Sequence, residues 1–306
     1  MGEPFGPYEL IERIGAGGMC EVFRARRADR SDPIAIKRLH RELEQQPDAV
    51  DLFLTEADLA VLLHHPNIIN TFESGEVDGR YFIAMELIEG LDVAHAQRRA
   101  IERTLPIEVP LAVHIVAEVG RALDYLHHAT SPSGRPFGLV HRDVSPDNVF
   151  LTQQGQVKLA DFGIAKLGQL ETVTTVVGGV KGKLTYMAPE QVRGEDLDQR
   201  TDLFAAALIL YELVTGHRPY ARRDGELDVD LALRVRDADI PAPRKLEPEL
   251  PADLDAILRQ ALQRKPKKRP ADCARLVTAL ENLALKLHAV RGAGDVARLV
   301  TALLSP

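Results

Sequence analysis

A run of glycines lies near the start of the chain, between two stretches that read as strands. Gly15, Ala16, Gly17 and Gly18 precede the apolar residue Val22. Because glycine has no Cβ, a backbone of this kind can approach phosphate oxygens closely and bind them through its N–H groups. Tight hairpins also favour glycine. The run therefore has two explanations at this point, a phosphate-binding loop and an ordinary turn.

A lysine and a glutamate form a second candidate group. Lys37 follows Ala35 and Ile36 in an apolar, strand-like stretch. Most lysines in strands face solvent, which is one interpretation of this residue. Glu56 falls in the middle of a predicted helix beside apolar neighbours, where a carboxylate needs a partner. The alternative interpretation is an ion pair between Lys37 and Glu56.

The most informative motifs lie in the middle of the chain. Residues 141–148 read HRDVSPDN, residues 161–163 read DFG, and residues 188–190 read APE. Any one triplet can occur by chance, but chance does not account for the whole set in this order and spacing. With these motifs the sequence resembles the protein kinase superfamily. The GGM variant at residues 17–19 makes it look most like the bacterial eukaryotic-like serine/threonine kinases.

This resemblance implies a fold and a domain organisation. It covers residues 8–285 and predicts the bilobal α+β protein kinase fold, with a small antiparallel-sheet N-lobe carrying one regulatory helix and a larger, mainly helical C-lobe. The N-lobe is expected at about 8–87 and the C-lobe at about 91–285, followed by a C-terminal helical extension at 286–306. Further family-like positions are HPNI at 65–68, Asp202 with YEL at 211–213, and Arg269-Pro270.

The resemblance also implies a role for each motif residue, since phosphoryl transfer depends mostly on positioning and charge neutralisation. Lys37, oriented by Glu56, would hold the α and β phosphates of ATP. Asp161 would bind Mg²⁺, and Asn148 would supply an oxygen to a second metal position; Mn²⁺ is the alternative ion. Asp143 would accept the proton of the substrate hydroxyl or orient that hydroxyl.

The nucleotide site implied by the resemblance draws on both lobes. The adenine is expected between Ile14, Val22 and Ala35 on one side and Phe150 on the other. Met85 resembles the gatekeeper, and the next residues resemble the hinge that reads the adenine edge. The full expected set is Ile14, Gly15, Ala16, Gly17, Gly18, Val22, Ala35, Lys37, Met85, Glu86, Ile88 and Phe150.

Two positions depart from the family pattern. Ser145 stands where these kinases carry a lysine that neutralises the transferring phosphate, and Lys183 stands where they carry a threonine that reaches the catalytic aspartate and lysine. We hypothesise that the two residues have exchanged roles, so that Lys183 is a catalytic residue. The alternatives are a solvated Lys183 and an ATP-binding pseudokinase that serves as a scaffold.

The activation segment expected between DFG and APE is rich in threonine. In the family, an arginine at the position of Arg142 binds a phosphate on this segment. Thr172, Thr174 and Thr175 are therefore candidate autophosphorylation sites, because added negative charge would order the segment through Arg142. A solvated threonine-rich loop is the other interpretation.

Composition narrows the classes of partner. The chain has 306 residues, 45% of them hydrophobic and 27% charged, with a formal net charge of -7. This acidic balance argues against nucleic-acid binding, which needs clustered cations. The sequence offers no stretch of about 20 apolar residues that would insert into a membrane. We expect a cytoplasmic protein that acts on a protein substrate, with a homodimer or a regulatory protein as a further partner.

The elements that position these residues follow from hydrophobic periodicity. Five strand-like stretches lie between residues 8 and 87, interrupted by a helix at about 48–63. After Gly90 the pattern changes to amphipathic helices, at about 110–128, 201–215 and 253–262. A repeat, ARLVTAL, follows Asp272 and Asp295, and both aspartates are predicted helix N-caps. Packing of these helices against the large lobe is preferred over a docking or dimerisation role.

Overall fold

The computed structural model describes residues 2–30, 32–162 and 183–305, with only the backbone of Lys183. The chain divides into two compact units. The first unit holds the residues up to Glu89 together with Phe162, and the second holds residues 90–161 and the described residues from 183 onward. The first is built on an antiparallel sheet and the second is mainly helical, so the predicted α+β kinase fold is confirmed.

The first unit contains a six-stranded sheet with the order β1-β2-β3-β4-β6-β5. All neighbouring strands in it are antiparallel. Five strands match the predicted stretches, whereas β1 was not predicted. The strands are β1 (Glu3–Phe5), β2 (Tyr8–Ala16), β3 (Cys20–Arg27), β4 (Ile34–Leu39), β5 (Thr71–Val77) and β6 (Arg80–Glu86).

The first unit also has a short helix, α1 (Arg41–Glu44), and a long one, α2 (Pro47–Leu62). The apolar residues of α2 recur at helical spacing, and Phe53 and Ala57 form one buried cluster with Leu39 of β4. Side chains two residues apart on a strand share a face, so Lys37 lies on the same side of the sheet as Leu39. This packing places α2 on the face that carries Lys37.

The helices of the second unit surround one that is buried on all sides. Every residue from 201 to 215 in this central helix is buried, so the predicted amphipathic character of this stretch was wrong: the helix is apolar around most of its circumference and has no solvent-facing side. The helices are α3 (Val93–Glu102), α4 (Val109–His128), α5 (Pro189–Arg193), the central α6 (Gln199–Thr215), α7 (Asp228–Asp237), α8 (Pro243–Leu246), α9 (Ala252–Ala261), α10 (Cys273–Lys286) and α11 (Ala293–Leu304).

A small sheet in the second unit carries the central motifs. Its order is β7-β8-β9, formed by β7 (Gly90–Asp92), β8 (Val149–Thr152) and β9 (Val157–Leu159). Asn148 directly precedes β8, and Asp161 follows β9 by two residues. Because β8 and β9 pair as a hairpin, both residues lie at its open end. These strands were not predicted, since segments this short and this buried show no alternation of polar and apolar residues.

The repeated tail sequence forms two helices that begin differently. Asp272 caps α10, where its side chain accepts a hydrogen bond from the backbone N–H of Arg275. The prediction for Asp295 was wrong, because Gly292 is the cap of α11 and Asp295 is its third residue. The Asp295 carboxylate instead accepts a hydrogen bond from the Gly292 N–H at 2.9 Å. Within the described ranges, no helix has both the length and the apolar character needed to cross a bilayer.

Candidate active site

The predicted contact between Lys37 and Glu56 is present in the first unit. Nζ of Lys37 lies 3.0 Å from Oε1 of Glu56, and the two side chains are 13% and 11% exposed. The register of the sheet fixes the lysine, since Lys37 is directly opposite Val22 on β3 and Ile83 on β6. Mostly buried charges of this kind need a partner, so each holds the other in place.

The backbone of the glycine run distinguishes a phosphate-binding loop from an ordinary turn. Gly17 and Gly18 both lie at negative or extended φ, because neither is among the residues with positive φ. A Cβ at Gly18 would meet no atom within 4 Å, and one at Gly17 would meet only the Cys20 carbonyl oxygen at 3.9 Å. Neither backbone strain nor packing requires glycine at these two positions. Their lack of side chains favours a loop that a ligand approaches.

Several expected nucleotide-binding residues are neighbours in the first unit. Ala35 is opposite Met85 across β4 and β6, and Val22 is opposite Lys37 across β3 and β4. Directly opposite residues point to one face, so these four side chains share a side of the sheet. Gly15, with Ala16 next to it, pairs with Val22 as well.

The remaining expected nucleotide-binding residues occupy other positions. Ile14 is 48% exposed. The backbone N–H of Glu86 donates to the carbonyl oxygen of Asn70 at 2.9 Å, so this hinge N–H is already used within the unit. Ile88 lies just beyond β6 in the first unit, and Phe150 lies on β8 in the second.

Asp143 and Asn148 are joined in the second unit. Nδ2 of Asn148 donates to the Asp143 carbonyl oxygen at 2.8 Å and to Asp143 Oδ2 at 3.2 Å. The amide oxygen of Asn148 makes no hydrogen bond with the described part of the chain, so it remains an acceptor for a cation. At the mouth of the hairpin, the Ala160 N–H donates to the Asn148 carbonyl oxygen at 2.9 Å, which fixes Asp161 relative to Asn148.

These oxygens suit Mg²⁺ bound together with a polyphosphate. Nowhere in the described ranges do three His, Cys, Asp or Glu residues gather as a complete metal site. Mg²⁺ commonly takes only one or two carboxylates from the protein and fills its remaining positions with phosphate oxygens and water. Asp161 and Asn148 therefore fit a metal that arrives with ATP. Asp161 also has a left-handed backbone, at φ 52, which is frequent at functional sites.

The backbone of the candidate catalytic loop, residues 141–148, is held by a buried aspartate of α6. The Asp202 carboxylate accepts hydrogen bonds from the His141 N–H at 2.7 Å and the Arg142 N–H at 2.8 Å. Nε2 of His127, at the end of α4, lies 2.7 Å from the same carboxylate. Arg142 adopts φ 64, a conformation unfavourable for a residue with a Cβ. Asp202 therefore stabilises the strained turn directly before Asp143.

His141 acts as a neutral connector between motifs. Its Nδ1 accepts a hydrogen bond from the Asp143 N–H at 3.3 Å, so the ring proton is on Nε2, which donates to the Ala160 carbonyl oxygen at 3.1 Å. The ring is fully buried. Burial lowers the pKa of His141 below its ordinary 6.5. The neutral ring thus links the catalytic loop to the residue that precedes Asp161.

Gln191 and His127 support the site but were not predicted from the sequence. Nε2 of Gln191 donates to the Arg142 carbonyl oxygen at 3.0 Å, while its Oε1 accepts from the Ala188 N–H at 2.9 Å. Gln191 thereby ties the APE segment to the catalytic loop, and His127 supports Asp202. The sequence shows each of them only as a polar residue in an otherwise apolar stretch. Hydrophobic periodicity does not indicate which distant residue such a side chain contacts.

The APE glutamate and the late arginine form a buried ion pair. Nη1 and Nη2 of Arg269 lie 2.6 and 2.8 Å from the two carboxylate oxygens of Glu190. Both side chains are almost completely buried. This bidentate contact connects the start of α5 to the segment before α10, and it explains why the sequence holds both residues at family-like positions.

An acidic group lies next to the catalytic loop. Glu212 of α6 accepts hydrogen bonds from the buried Tyr186 hydroxyl and, at 3.3 Å, from Nε and Nη2 of Arg218. Burial and the charge of Glu212 raise the pKa of Tyr186, and the charge of Asp147 acts in the same direction. Asp147 itself is exposed. Arg218 thus neutralises one of two carboxylates in this cluster.

Of the two residues that depart from the family pattern, the structure describes the side chain of Ser145 but not that of Lys183. Ser145 is 3% exposed, and its Oγ has no hydrogen-bond partner in the described chain. A buried hydroxyl without a partner is unusual, and it occurs where a ligand or an ion completes a site. The side chain of Lys183 lies outside what is described, as do the three threonines Thr172, Thr174 and Thr175.

Arg142 has the properties of an anion-binding residue. Its guanidinium makes no hydrogen bond or ion pair with any described residue. Burial lowers its pKa, with the charge of Asp202 acting in the opposite direction. An arginine remains charged under these conditions. A half-buried cation without a carboxylate partner favours an incoming anion.

Known proteins similar to this chain are protein kinases. The family model described as protein kinase domain matches residues 8–280. The kinase domain of PknI from Mycobacterium tuberculosis is similar to this chain, with a TM-score of 0.70 and 30% identity, over 92% of this chain and 98% of that one. At this identity the likeness covers sequence as well as fold.

Two curated relatives are similar over most of this chain. A tyrosine-protein kinase, MasK of Myxococcus xanthus, is 41% identical over 81% of this chain and 38% of its own length. A serine/threonine-protein kinase, PrkC of Bacillus subtilis, is 32% identical over 80% of this chain and 36% of its own length. The chain therefore spans less than two fifths of either relative.

Proposed function

Because the chain belongs to the protein kinase domain family in its bacterial, eukaryotic-like branch, we propose that it transfers the γ-phosphate of Mg-ATP to hydroxyl side chains of a protein substrate. The observation that carries the proposal is the joined pair Asp143 and Asn148 at the start of a hairpin that ends at Asp161. Lys37 and Glu56 support it from the first unit.

Each residue has a role that its chemistry supports. Lys37, fixed by Glu56, binds phosphate oxygens of ATP. The side chains of Asp161 and Asn148 hold the metal, which when bound neutralises charge on the phosphates; Mg²⁺ is proposed, with Mn²⁺ as the alternative. Asp143, held by Asn148, orients the acceptor hydroxyl and takes up its proton. The other nucleotide-binding residues named from the sequence remain proposals.

The acceptor is proposed to be serine or threonine. Similarity to PrkC supports this choice, whereas similarity to MasK, which is named a tyrosine kinase, supports the alternative. Ser145 removes one residue that marks the serine/threonine kinases of this family. Phosphoamino-acid analysis of a labelled substrate mixture distinguishes the two, and phosphotyrosine as the sole product would refute the proposal.

We retain the exchange of roles between Ser145 and Lys183 as part of the proposal. The buried Ser145 hydroxyl supports it, because this hydroxyl needs a partner of the kind that a phosphate or a lysine provides. Lys183→Ala should then lower the rate of phosphoryl transfer strongly, while Ser145→Lys combined with Lys183→Thr should restore it. Full activity of Lys183→Ala would contradict the exchange.

Autophosphorylation is proposed at Thr172, Thr174 or Thr175. The support is the half-buried Arg142, whose guanidinium has no carboxylate partner in the described ranges and so favours a phosphate. Mass spectrometry after incubation with Mg-ATP should find phosphate on at least one of the three. Arg142→Gln should then make the phosphorylated and unphosphorylated forms equally active, whereas a retained difference would exclude this role for Arg142.

The central test compares labelling from radiolabelled ATP in the wild type, Lys37→Met and Asp143→Asn. Both variants should lose incorporation into added protein and into the chain itself. Lys245→Met and Asp196→Asn serve as matched controls, since both residues are exposed. Equal labelling of all five proteins would overturn the proposed kinase activity. A wild type that neither incorporates label nor binds ATP would also exclude the alternative of an ATP-binding pseudokinase scaffold.

A protein substrate is the proposed partner, and a homodimer or a regulatory protein is the proposed means of control. The acidic net charge of -7 gives no support to a nucleic-acid partner. The proposed location is the cytoplasm, where ATP and reduced cysteines are found; both cysteines of this chain are buried.

A further inference from the structure

The C-terminal helix α11 is firmly packed on the second unit. Val296, Val300 and Leu303 lie on one face of the helix, at spacings of four and three residues, and none has any exposed surface. This face packs against β8, α3 and α4. The family model ends at residue 280, before this helix begins. Helix α11 is therefore an addition that is closely integrated with the family fold.

Polar contacts fix both ends of α11. At its C-terminus, Nη1 of Arg99 donates to the Leu303 carbonyl oxygen at 2.9 Å, and Arg103 donates to the Ala302 carbonyl oxygen at 3.3 Å. Arginines at this end satisfy the last carbonyl groups and complement the helix dipole. Near the other end, Nη2 of Arg291 lies 3.0 Å from Oε2 of Glu108, directly before α4.

The first residue of α11 is pressed against the closed end of the β8–β9 hairpin. A Cβ on Gly155, in the turn of this hairpin, would lie 1.9 Å from the Ala293 carbonyl oxygen. Gly155 also has φ 88, which only glycine adopts readily. The turn itself is closed by hydrogen bonds from the Gly155 N–H to the Thr152 carbonyl and from the Thr152 N–H to the Gln156 carbonyl, both at 2.9 Å.

The open end of the same hairpin carries the two residues proposed to hold the metal. Asn148 directly precedes β8, and Asp161 follows β9. At a rise of about 3.3 Å per residue, β8 separates its two ends by about 10 Å. The hairpin is short and hydrogen-bonded at both ends, so a shift imposed at its turn is carried to its open end.

We propose that α11 is a positioning element for the metal-binding pair: by packing on β8 and on the Gly155 turn, it sets the separation and orientation of Asn148 and Asp161. The proposal rests on the proposed kinase function only for the identity of the metal. It predicts that loosening α11 weakens metal binding more than it slows turnover at saturating metal.

The test compares Val300→Ala with a matched variant of α10, Val277→Ala. Val277 is also buried, and it packs on α4, where a Cβ at Gly120 would lie 2.6 Å from Val277 Cγ2. For Val300→Ala, the half-saturating Mg²⁺ concentration for ATP turnover should rise severalfold. This is below the roughly 10- to 100-fold cost of losing a direct hydrogen-bond partner of a metal ligand. The kcat at saturating Mg²⁺ should change little.

A second readout does not depend on activity. Without metal or nucleotide, the amides of residues 149–152 and 157–159 should exchange with deuterium faster in Val300→Ala than in Val277→Ala. An equal exchange rate in the two variants, or an equal half-saturating Mg²⁺ concentration, would overturn the positioning role. A wild type that turns over no ATP would refute the proposed function instead, and the exchange experiment would still decide the role of α11.

A milder pair of variants covers the case in which Val300→Ala does not fold. Arg99→Gln removes the hydrogen bond to the Leu303 carbonyl oxygen, and Arg98→Gln removes an exposed neighbour in the same helix. Arg99→Gln should shift hairpin exchange and the Mg²⁺ requirement in the same direction as Val300→Ala, though less. Identical behaviour of these two arginine variants would count against the proposal.

Discussion

Replacing Asp202 by asparagine should both destabilise the protein and disorder the catalytic loop. The carboxylate accepts from the His141 and Arg142 N–H groups and from the His127 ring at 2.7 to 2.8 Å. Asparagine has one acceptor oxygen, and its NH₂ group would face a donor. At least one backbone N–H loses its partner, and a second hydrogen bond is weakened.

The size of the effect follows from these contacts. Hydrogen bonds to a charged group contribute about 1.5–3 kcal/mol each, so two lost or weakened bonds correspond to about 3–6 kcal/mol. The strained φ of Arg142, which costs roughly 1–2 kcal/mol in a residue with a Cβ, would no longer be supported. For a chain whose stability is about 5–15 kcal/mol, such a loss takes a large part of the free energy of unfolding.

Urea unfolding of Asp202→Asn and of Asp198→Asn provides the measurement. Asp198 caps the same helix, accepts from the Arg200 N–H and is about half exposed. Because asparagine caps a helix as well as aspartate, this variant loses only an exposed ion pair with Arg200 and should cost at most about 1 kcal/mol. At a temperature where both variants are folded, Asp202→Asn should also have a much lower kcat. The reasoning is refuted if the free energies of unfolding of the two variants agree within about 1 kcal/mol.

Two further predictions concern pH and substrate choice. The pKa of His141 is lowered by burial from 6.5, so the unfolded chain binds the proton more readily and stability should fall as the pH drops below 6.5, by at most about 1.4 kcal/mol per unit. His141→Asn should show a smaller slope between pH 7.5 and 5.5 in urea unfolding; an unchanged slope would contradict the assignment. Arg218→Ala should release Glu212 and raise kcat/KM severalfold for peptides with a basic residue near the acceptor, whereas Arg222→Ala should not. A peptide-library profile identical to that of the wild type would exclude a role for Arg218 in substrate choice.

The sheet of the first unit could be predicted from the sequence because its strands leave clear periodic signals. Five strands and α2 alternate or repeat their apolar residues and are separated by turn formers. Strand β1 and the β7–β9 sheet could not be predicted in this way, because strands of three or four residues are shorter than the windows in which a period can be measured. Their pairing is decided by contacts with distant parts of the chain.

The motif residues of the site were found for a different reason. Short local motifs contain Asp143, Asn148 and Asp161, and such motifs can be identified without knowledge of the fold. The residues that hold them have no such pattern: Gln191 and His127 are ordinary polar side chains until folding brings them to Arg142 and Asp202. The wrong prediction for Asp295 has a similar cause. Its place ahead of the repeated motif predicted a helix N-cap, whereas the helix begins earlier and Gly292 is its N-cap.

Three supports from distant parts of the chain converge on one short region. Asp202 of α6 holds the loop before Asp143, Gln191 of α5 binds the Arg142 carbonyl, and α11 presses on the hairpin that follows Asn148. Each acts on backbone groups, and none of the three is among the residues proposed to react. The geometry of the side chains proposed to react therefore depends on backbone positions fixed from several directions, so substitutions at these supports should change the proposed catalysis without changing any group proposed to contact ATP.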